Sequence, residues 1–189
     1  MDIGKLRTQF HLHQLANDTT PKVTGQLRQA AVLLAIEDIA SQPHLILTQR
    51  PDHLRAHPGQ ISFPGGKVER ADKSFAATAL REAEEEIGLK AANVEIMGQY
   101  PTFKTFTGFE ITPVVGIVKQ PFTPIIDPGE VADLFSMPLE FVLNHHNRHV
   151  RYFQRGNIRY PVYFIQYEQY FIWGATAAII DRFCRQFAD

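Results

Sequence analysis

Three glutamates of one predicted helix have the spacing best suited to chemistry. Glu82, Glu85 and Glu86 stand at positions i, i+3 and i+4, so their carboxylates share one helix face. Like charges at this spacing repel by roughly 0.2 to 0.5 kcal/mol per pair, which Arg81 offsets only in part. Carboxylate oxygens suit a hard divalent cation, Mg²⁺ or Mn²⁺, which commonly shares its coordination with substrate phosphates. A metal site and a solvated acidic face are the two interpretations that these residues leave open.

The helix that carries the glutamates is predicted from its apolar stripe and its ends. Ser74 or Asp72 is placed to cap its start, and Gly88 is placed to end it. Immediately before it, Gly65 and Gly66 predict a tight turn whose backbone can approach a neighbouring group closely. The apolar stripe recurs at helical spacing and consists of Ala76, Ala79, Leu80, Ala83 and Ile87. A glycine turn that leads directly onto the helix favours the metal site over the solvated face.

The segment from Phe63 to Leu89 resembles the signature of the Nudix hydrolases. That signature reads Gly, five residues, Glu, seven residues, then Arg-Glu-apolar-x-Glu-Glu-x-Gly-apolar, and residues 81–89 match its second half. In the first half, Asp72 takes the place of the glutamate, and eight residues separate it from Arg81. This variant resembles the Nudix subgroup that hydrolyses coenzyme A. A second motif is similar to that subgroup's own signature and runs Leu47-Thr48-Gln49-Arg50, Leu54-Arg55-Ala56-His57-Pro58-Gly59-Gln60 and Phe63-Pro64-Gly65-Gly66.

The resemblance implies a role for each residue of the site. Glu82 and Glu86 would be the principal ligands of Mg²⁺ or Mn²⁺, and Glu85 would share in the cluster or position or deprotonate the attacking water. Arg81 would orient the glutamates, and Gly66 would let the backbone approach the metal. Glu130, in a Glu-Val segment before a predicted strand, would bring a further carboxylate.

The substrate implied by the resemblance is coenzyme A, cut at its pyrophosphate into 3′,5′-ADP and 4′-phosphopantetheine. Acyl and oxidised forms of coenzyme A are further candidates. Two alternatives stay open: another Nudix substrate, such as ADP-ribose, a dinucleotide or a nucleoside triphosphate, and a noncatalytic nucleotide-sensing module. Such modules usually lose glutamates from the signature, and all three are present here.

The loop over 50–60, within the second motif, holds the candidate substrate-binding residues. Arg50, Arg55, His57 and Gln60 offer cationic or hydrogen-bonding groups beside the predicted phosphate site. A surface loop with incidental charge is the alternative interpretation.

Aromatic residues supply a second set of candidates. Phe106, close to Lys104, is a candidate to stack on the base of the substrate; packing into the core is the alternative for these phenylalanines, and we expect it for Phe103. Trp173 stands at the start of a closing helix predicted over 171–187. We expect it to be a core anchor, with ligand contact as the alternative.

The overall pattern predicts an α/β protein. Strands alternate with one central and one terminal helix, which favours an α/β/α sandwich around a mixed sheet, and the resemblance implies the Nudix fold. We expect residues 28–189 to form the Nudix domain and residues 1–27 to form an N-terminal helical extension with a helix over 3–15. Strands are predicted over 30–36, 44–48, 94–100 and 111–118, with a hairpin of 150–153 and 160–167.

Composition narrows the range of partners. The chain has 189 residues, a net charge of −1 and a pI near 6.7, so it lacks the basic footprint of nonspecific nucleic-acid binding. The single cysteine, Cys184, excludes an intrachain disulfide and is expected to be a buried structural thiol. No targeting segment or membrane span is evident in the sequence. We therefore expect a cytoplasmic protein that acts on a small molecule, with no nucleic-acid or membrane partner, as a monomer or homodimer.

Overall fold

A computed structural model describes residues 1–12, 25–54 and 56–187, which form four α-helices and eleven β-strands. The helices are α1 (Ile3–Leu12), α2 (Phe75–Ile87), α3 (Leu139–Leu143) and α4 (Ala175–Arg185). The strands are β1 (Arg28–Ile39), β2 (Gln42–Gln49), β3 (Ile61–Ser62), β4 (Gly65–Lys67), β5 (Val94–Gln99), β6 (Phe103–Lys104), β7 (Phe109–Val118), β8 (Asp133–Pro138), β9 (His149–Arg155), β10 (Ile158–Tyr167) and β11 (Tyr170–Trp173). Short 3₁₀ helices span Ala91–Asn93 and His145–Asn147.

An eight-stranded mixed sheet forms the centre of the molecule. Its strands follow the order β3-β2-β1-β7-β5, while β4 pairs with β1, β6 with β7 and β8 with β2. The β1–β7 pair is parallel from Arg28 opposite Phe109 to Ile36 opposite Ile117, and the other pairs are antiparallel. Strands β11, β10 and β9 form a separate antiparallel sheet in that order.

Helices cover both faces of the central sheet, because its middle strands are apolar on both sides. On one face, Ala79, Ala83 and Ile87 of α2 pack against a core that includes Leu33 of β1. On the other face, α4 packs with α1 and α3 against the opposite side chains of the same strands. The predicted α/β/α sandwich with a mixed sheet is therefore confirmed.

Helix α2 has the capping residues that its sequence predicts. The Ser74 hydroxyl accepts a hydrogen bond from the Ala77 amide at 3.1 Å, and Gly88 ends the helix in the left-handed region with φ of 72°. Of the two capping candidates, Ser74 is the cap. Asp72 instead accepts hydrogen bonds from Thr78 and Arg81.

The closing helix begins later than the sequence pattern predicts. Residues 170–173 form strand β11, and α4 starts at Ala175, after Gly174 with φ of 68°. The reason is a period-two pattern, in which Tyr170 and Ile172 are buried while Phe171 and Trp173 are exposed. The predicted hairpin over 150–167 is confirmed, with β11 added as a third strand.

The N-terminal helix α1 packs directly onto the rest of the fold. Leu6 is fully buried in the core, and the ring of Phe10 meets that of Tyr100 edge-on, with centroids 5.9 Å apart. The Gln186 side chain donates to the Phe10 carbonyl at 2.7 Å, which connects α1 to the C-terminal segment. The predicted continuation of the helix over 13–15 lies outside the described residues. Cys184 is buried, as predicted.

Within the described parts of the chain, no helix is both long enough and apolar enough to span a membrane.

Candidate active site

Three carboxylates converge at the face of α2 that meets the glycine turn. Glu82, Glu86 and Glu130 each offer an oxygen atom, and these atoms lie within 4.8 Å of one another. Glu82 is partly buried, Glu86 is buried and Glu130 is exposed, so the group opens to the surface on one side. A set of donors made only of carboxylate oxygens suits a hard divalent cation. These three residues could therefore hold Mg²⁺ or Mn²⁺.

The loop that follows β7 brings Glu130 to the helix. Backbone amides of Ile125 and Asp127 donate to the carbonyls of Ile87 and Glu86, each at 3.0 Å. Carbonyls in the last turn of a helix have no partner within the helix, so this loop satisfies them. The Glu130 amide then donates to the Asp127 carbonyl at 3.1 Å, which places its carboxylate near those of α2.

Neighbouring atoms lie so close to Gly65 and Gly66 of β4 that a side chain at either position would displace them. A Cβ atom on Gly66 would lie 2.3 Å from the carboxylate of Glu82, and one on Gly65 would lie 2.5 Å from the Ala31 carbonyl oxygen. The Gly65 amide donates to Oε2 of Glu86 at 3.3 Å. The glycine turn thus holds the backbone of β4 against both helix carboxylates.

Burial makes the charged form of this group costly without a cation. Burial, helped by the negative charge of Glu82, raises the pKa of Glu86 to about 8. Burial also raises the pKa of Glu82, although the Arg81 guanidinium opposes that shift. A divalent cation would remove the repulsion between these carboxylates, so the electrostatics fit a metal site.

The guanidinium of Arg81 connects the Glu82 carboxylate to Asp72, in the turn before α2. It donates to both oxygens of Asp72 at 3.1 Å and to the Lys67 carbonyl at 3.1 Å, and its Nη1 lies 3.0 Å from Oε1 of Glu82. The hydrogen bond from Arg81 holds the pKa of Asp72 well below its usual range. The sequence did not lead us to predict that Asp72 binds the guanidinium of Arg81. Two departures from the Nudix signature could have indicated this contact: the aspartate at position 72 in place of glutamate, and the extra residue between it and Arg81.

Glu85 is the one signature glutamate that stays apart from the group of three. Its carboxylate accepts from Nη1 of Arg81 at 2.9 Å, the same nitrogen that lies 3.0 Å from Oε1 of Glu82, and its side chain is 59% exposed. The structure therefore places Glu85 beside Arg81 rather than among the clustered carboxylates.

A cavity of about 460 Å³ lies beside the glycine turn and is lined by cationic side chains. Arg28, Arg50 and Lys67 all reach it, together with His57 and Gln60. The positive charge of Arg50 lowers the pKa of Glu86 and so opposes its upward shift. The Arg50 Nε atom is buried and has no hydrogen-bond partner among the residues that the structure describes. We call this space the polar cavity.

A second cavity of about 300 Å³ shares His57 and Gln60 with the polar cavity. Phe106, Tyr160 and Trp173 line it, and the centroids of the Phe106 and Tyr160 rings are 4.5 Å apart. We call this space the aromatic cavity.

Most of the predicted substrate-binding residues border these two cavities. Arg50 lines the polar cavity, His57 and Gln60 line both, and Phe106 lines the aromatic one. Arg55 lies outside the described residues. Phe103 packs against the core, as predicted, and also lines the aromatic cavity.

The main expectation for Trp173 was wrong. It is 45% exposed and lines the aromatic cavity instead of anchoring the core. Arg28, Lys67 and Tyr160 were not identified from the sequence, because none of them stands in a distinctive motif and only the pairing of strands brings them to the cavities.

Comparisons with known proteins agree with this architecture. Residues 27–155 match the family model of the NUDIX domain. Nudix hydrolase NudL of Yersinia enterocolitica is 42% identical over 173 residues, which cover 92% of this chain and 88% of that protein. The protein of the same name from Escherichia coli strain SMS-3-5 is also 42% identical, over 92% of this chain and 90% of its own length.

A solved structure shares the fold at low sequence identity. It is that of a C. elegans Ap4A hydrolase in a binary complex, with a TM-score of 0.51 and 18% identity over 59% of this chain and 80% of that one. This similarity concerns the fold alone. The match to the family model and the identity to NudL show that the chain belongs to the Nudix hydrolase family.

Proposed function

We propose that this protein hydrolyses the pyrophosphate bond of coenzyme A, with Mg²⁺ or Mn²⁺, into 3′,5′-ADP and 4′-phosphopantetheine. The observation that carries the proposal is the group formed by Glu82, Glu86 and Glu130 beside a cavity lined by Arg28, Arg50 and Lys67. Carboxylates that can hold a divalent cation and cations that can hold phosphate thus stand next to each other. Family membership supports a phosphoanhydride substrate, and the resemblance of the 47–66 motif to the coenzyme A subgroup supports this particular one.

The three carboxylates would hold the metal in this proposal. When bound, a divalent ion would polarise the phosphate oxygens and favour ionisation of a bound water. Arg81 and Asp72 keep Glu82 in place, and the Gly65 amide does the same for Glu86. These contacts orient the carboxylate oxygens before substrate arrives, which is the positioning role that groups behind metal ligands commonly have.

The cationic side chains would bind the phosphates. Coenzyme A carries a diphosphate and a 3′-phosphate, and arginine guanidinium groups can form paired hydrogen bonds with phosphate oxygens. We assign Arg50, whose positive charge acts on Glu86, to the diphosphate, and Arg28 and Lys67, which also line the polar cavity, to the 3′-phosphate.

Glu85 has a different proposed role from the one that the signature implied first. Its ion pair with Arg81 and its exposure favour a part in holding the guanidinium. We therefore propose Glu85 as a positioning residue, and its replacement by Gln should reduce turnover less than replacement of Glu86.

Substitutions of two glutamates of α2 test the proposed function. We expect Glu86→Gln to abolish metal-dependent hydrolysis of coenzyme A, because it removes a charged ligand while it preserves the side-chain shape. Glu84→Gln is the matched control, since Glu84 is exposed and lies outside the group of three. The measurement is the rate of 3′,5′-ADP formation with Mg²⁺. A Glu86→Gln variant that retains nearly full activity would refute the proposed metal role.

A further inference from the structure

The walls of the aromatic cavity come from three separate parts of the chain. Phe106 lies in the connection between β6 and β7, Tyr160 lies on β10 and Trp173 lies on β11. Trp173 pairs with Phe164, and Tyr160 stands four residues before Phe164 on the same strand, so both rings project from one face of the small sheet. Trp173 remains 45% exposed there. The cavity therefore presents aromatic surface that packing has left uncovered.

The two cavities adjoin, and different chemical groups line them. The carboxylates stand against Gly65 and Gly66, which line the polar cavity, and the cations Arg28 and Lys67 line that same cavity. The aromatic cavity continues from it, because His57 and Gln60 border both. A ligand that occupies both cavities would thus reach from the glycine turn, beside the carboxylates and the cations, to the aromatic rings.

We propose that the aromatic cavity binds the nucleobase of the substrate, with Trp173 as a stacking residue. The inference rests on the proposed function only in that the substrate is a nucleoside diphosphate derivative. In the nucleoside half of such a molecule, the ribose separates the diphosphate from the planar base, just as the aromatic rings line a cavity that adjoins the one lined by the glycine turn and the cations. Aromatic side chains stack well on any base, whereas a flexible saturated arm gains less from planar surfaces.

Stacking on Trp173 gives a direct readout, because it is the single tryptophan of the chain. We expect 3′,5′-ADP to quench the intrinsic fluorescence of the protein saturably, both with Mg²⁺ and with chelator. 4′-Phosphopantetheine should leave the emission unchanged at the same concentrations, since it lacks a base. Neither compound contains the pyrophosphate of the substrate, so the readout does not depend on turnover.

Variants of β11 separate stacking from general packing. Trp173→Leu should weaken the binding of 3′,5′-ADP about tenfold or more, as expected for the loss of base stacking. Trp173→Phe should remain close to the wild type. Phe171→Leu is the matched control, because Phe171 is on the same strand and 53% exposed but does not line the cavity. Isothermal titration calorimetry measures the affinities.

Two results would overturn the inference. One is quenching by 4′-phosphopantetheine without quenching by 3′,5′-ADP, which would assign the cavity to the other half of the substrate. The other is an unchanged affinity for 3′,5′-ADP in Trp173→Leu. The proposed function fails separately: if 3′,5′-ADP quenches Trp173 but coenzyme A is not hydrolysed, the base site stands and the choice of substrate falls.

Discussion

Glu86 combines two properties that rarely occur together in a stable core. It is only 4% exposed, yet it lies near two other carboxylates, and its Oε2 accepts a hydrogen bond from the Gly65 amide at 3.3 Å. Burying a carboxylate beside like charges costs free energy unless a cation or a proton compensates. Such a residue is better explained by metal binding than by a contribution to folding.

The pH dependence of stability should reveal this cost in the metal-free protein. The pKa of Glu86 is about 8 in the folded chain, compared with an ordinary value of 4.5. The folded state thus binds the proton more tightly, so the stabilisation is present below the lower value and is lost as pH rises through the higher one. We expect the free energy of unfolding in chelator to fall by at most about 5 kcal/mol over this interval.

Thermal unfolding at about pH 5 and about pH 8.5 measures this effect. Glu86→Gln should lose most of the pH dependence, because the amide does not titrate. Mg²⁺ should restore the wild-type melting temperature at the higher pH and should have little effect on the variant. Equal pH profiles for the two proteins would contradict the assigned environment of Glu86.

Gly66 offers a second test at a single position. The Cβ atom of an alanine there would lie 2.3 Å from the Glu82 carboxylate, so either β4 or Glu82 must shift. We expect Gly66→Ala to displace the Glu82 carboxylate, which ends a flexible side chain, and so to weaken Mn²⁺ binding by at least about tenfold, while the stability of the metal-free fold changes by less than about 1 kcal/mol. Titration calorimetry and urea unfolding measure the two effects. Unchanged Mn²⁺ affinity would show that the close approach of Gly66 does not position Glu82.

Helix α2 and the segments at its two ends together form the site. The helix supplies Glu82 and Glu86, β4 contacts both of them, and the loop after β7 binds to the last helical carbonyls and carries Glu130. Asp72, in the turn before the helix, receives Arg81 through two hydrogen bonds. The position of each carboxylate therefore depends on an element other than the helix itself.

The Asp72–Arg81 contact predicts a specific loss of function. Asp72→Asn retains the shape of the side chain but removes the charge that holds the guanidinium, so Glu82 should become less well ordered. We expect about a tenfold loss of metal affinity, which is typical when a group behind a metal ligand is changed. Glu69→Gln is the control, since Glu69 lies 4.0 Å from Arg81 and is 64% exposed. Equal Mn²⁺ affinities in the two variants would refute the role of Asp72.

The sequence predicted helix α2 well because the signals for this element are local. The apolar stripe, the Ser74 cap and the Gly88 terminus lie within fifteen residues of one another and need no distant partner. Strand β11 could not be predicted in the same way. Tyr170–Trp173 is four residues long, and its extended form depends on pairing with β10. The same tertiary pairing decides that Trp173 faces a cavity rather than the core.

At the scale of the whole molecule, helix α1 packs into the core and contacts the C-terminal segment. Leu6 of α1 is fully buried, and the side chain of Gln186 donates to the carbonyl of Phe10. We propose that residues 28–189 form the catalytic domain and that residues 1–27 are an extension whose helix α1 stabilises it. The carboxylates lie on the α2 side of the central sheet, while α1 packs against the core on the opposite side.

Substitutions in α1 should therefore separate stability from function. We expect Leu6→Ala to destabilise the fold by about 2 to 5 kcal/mol, as for other large-to-small core changes, without changing the affinity for Mn²⁺. Leu12→Ala is the control on the same helix, because Leu12 is 73% exposed. Its effect should stay within about 0.5 kcal/mol. Urea unfolding measures both variants, and equal stabilities would contradict the packing of α1.

The most direct test of the central proposal is a comparison of substrates by product mass. The purified protein is incubated with coenzyme A, ADP-ribose and dATP, each with Mg²⁺, with Mn²⁺ and with chelator. We predict metal-dependent formation of 3′,5′-ADP and 4′-phosphopantetheine from coenzyme A, well above the turnover of the other two compounds. Preferential hydrolysis of ADP-ribose or dATP would contradict the choice of substrate, and no metal-dependent hydrolysis of any of the three would contradict the catalytic role of the carboxylates.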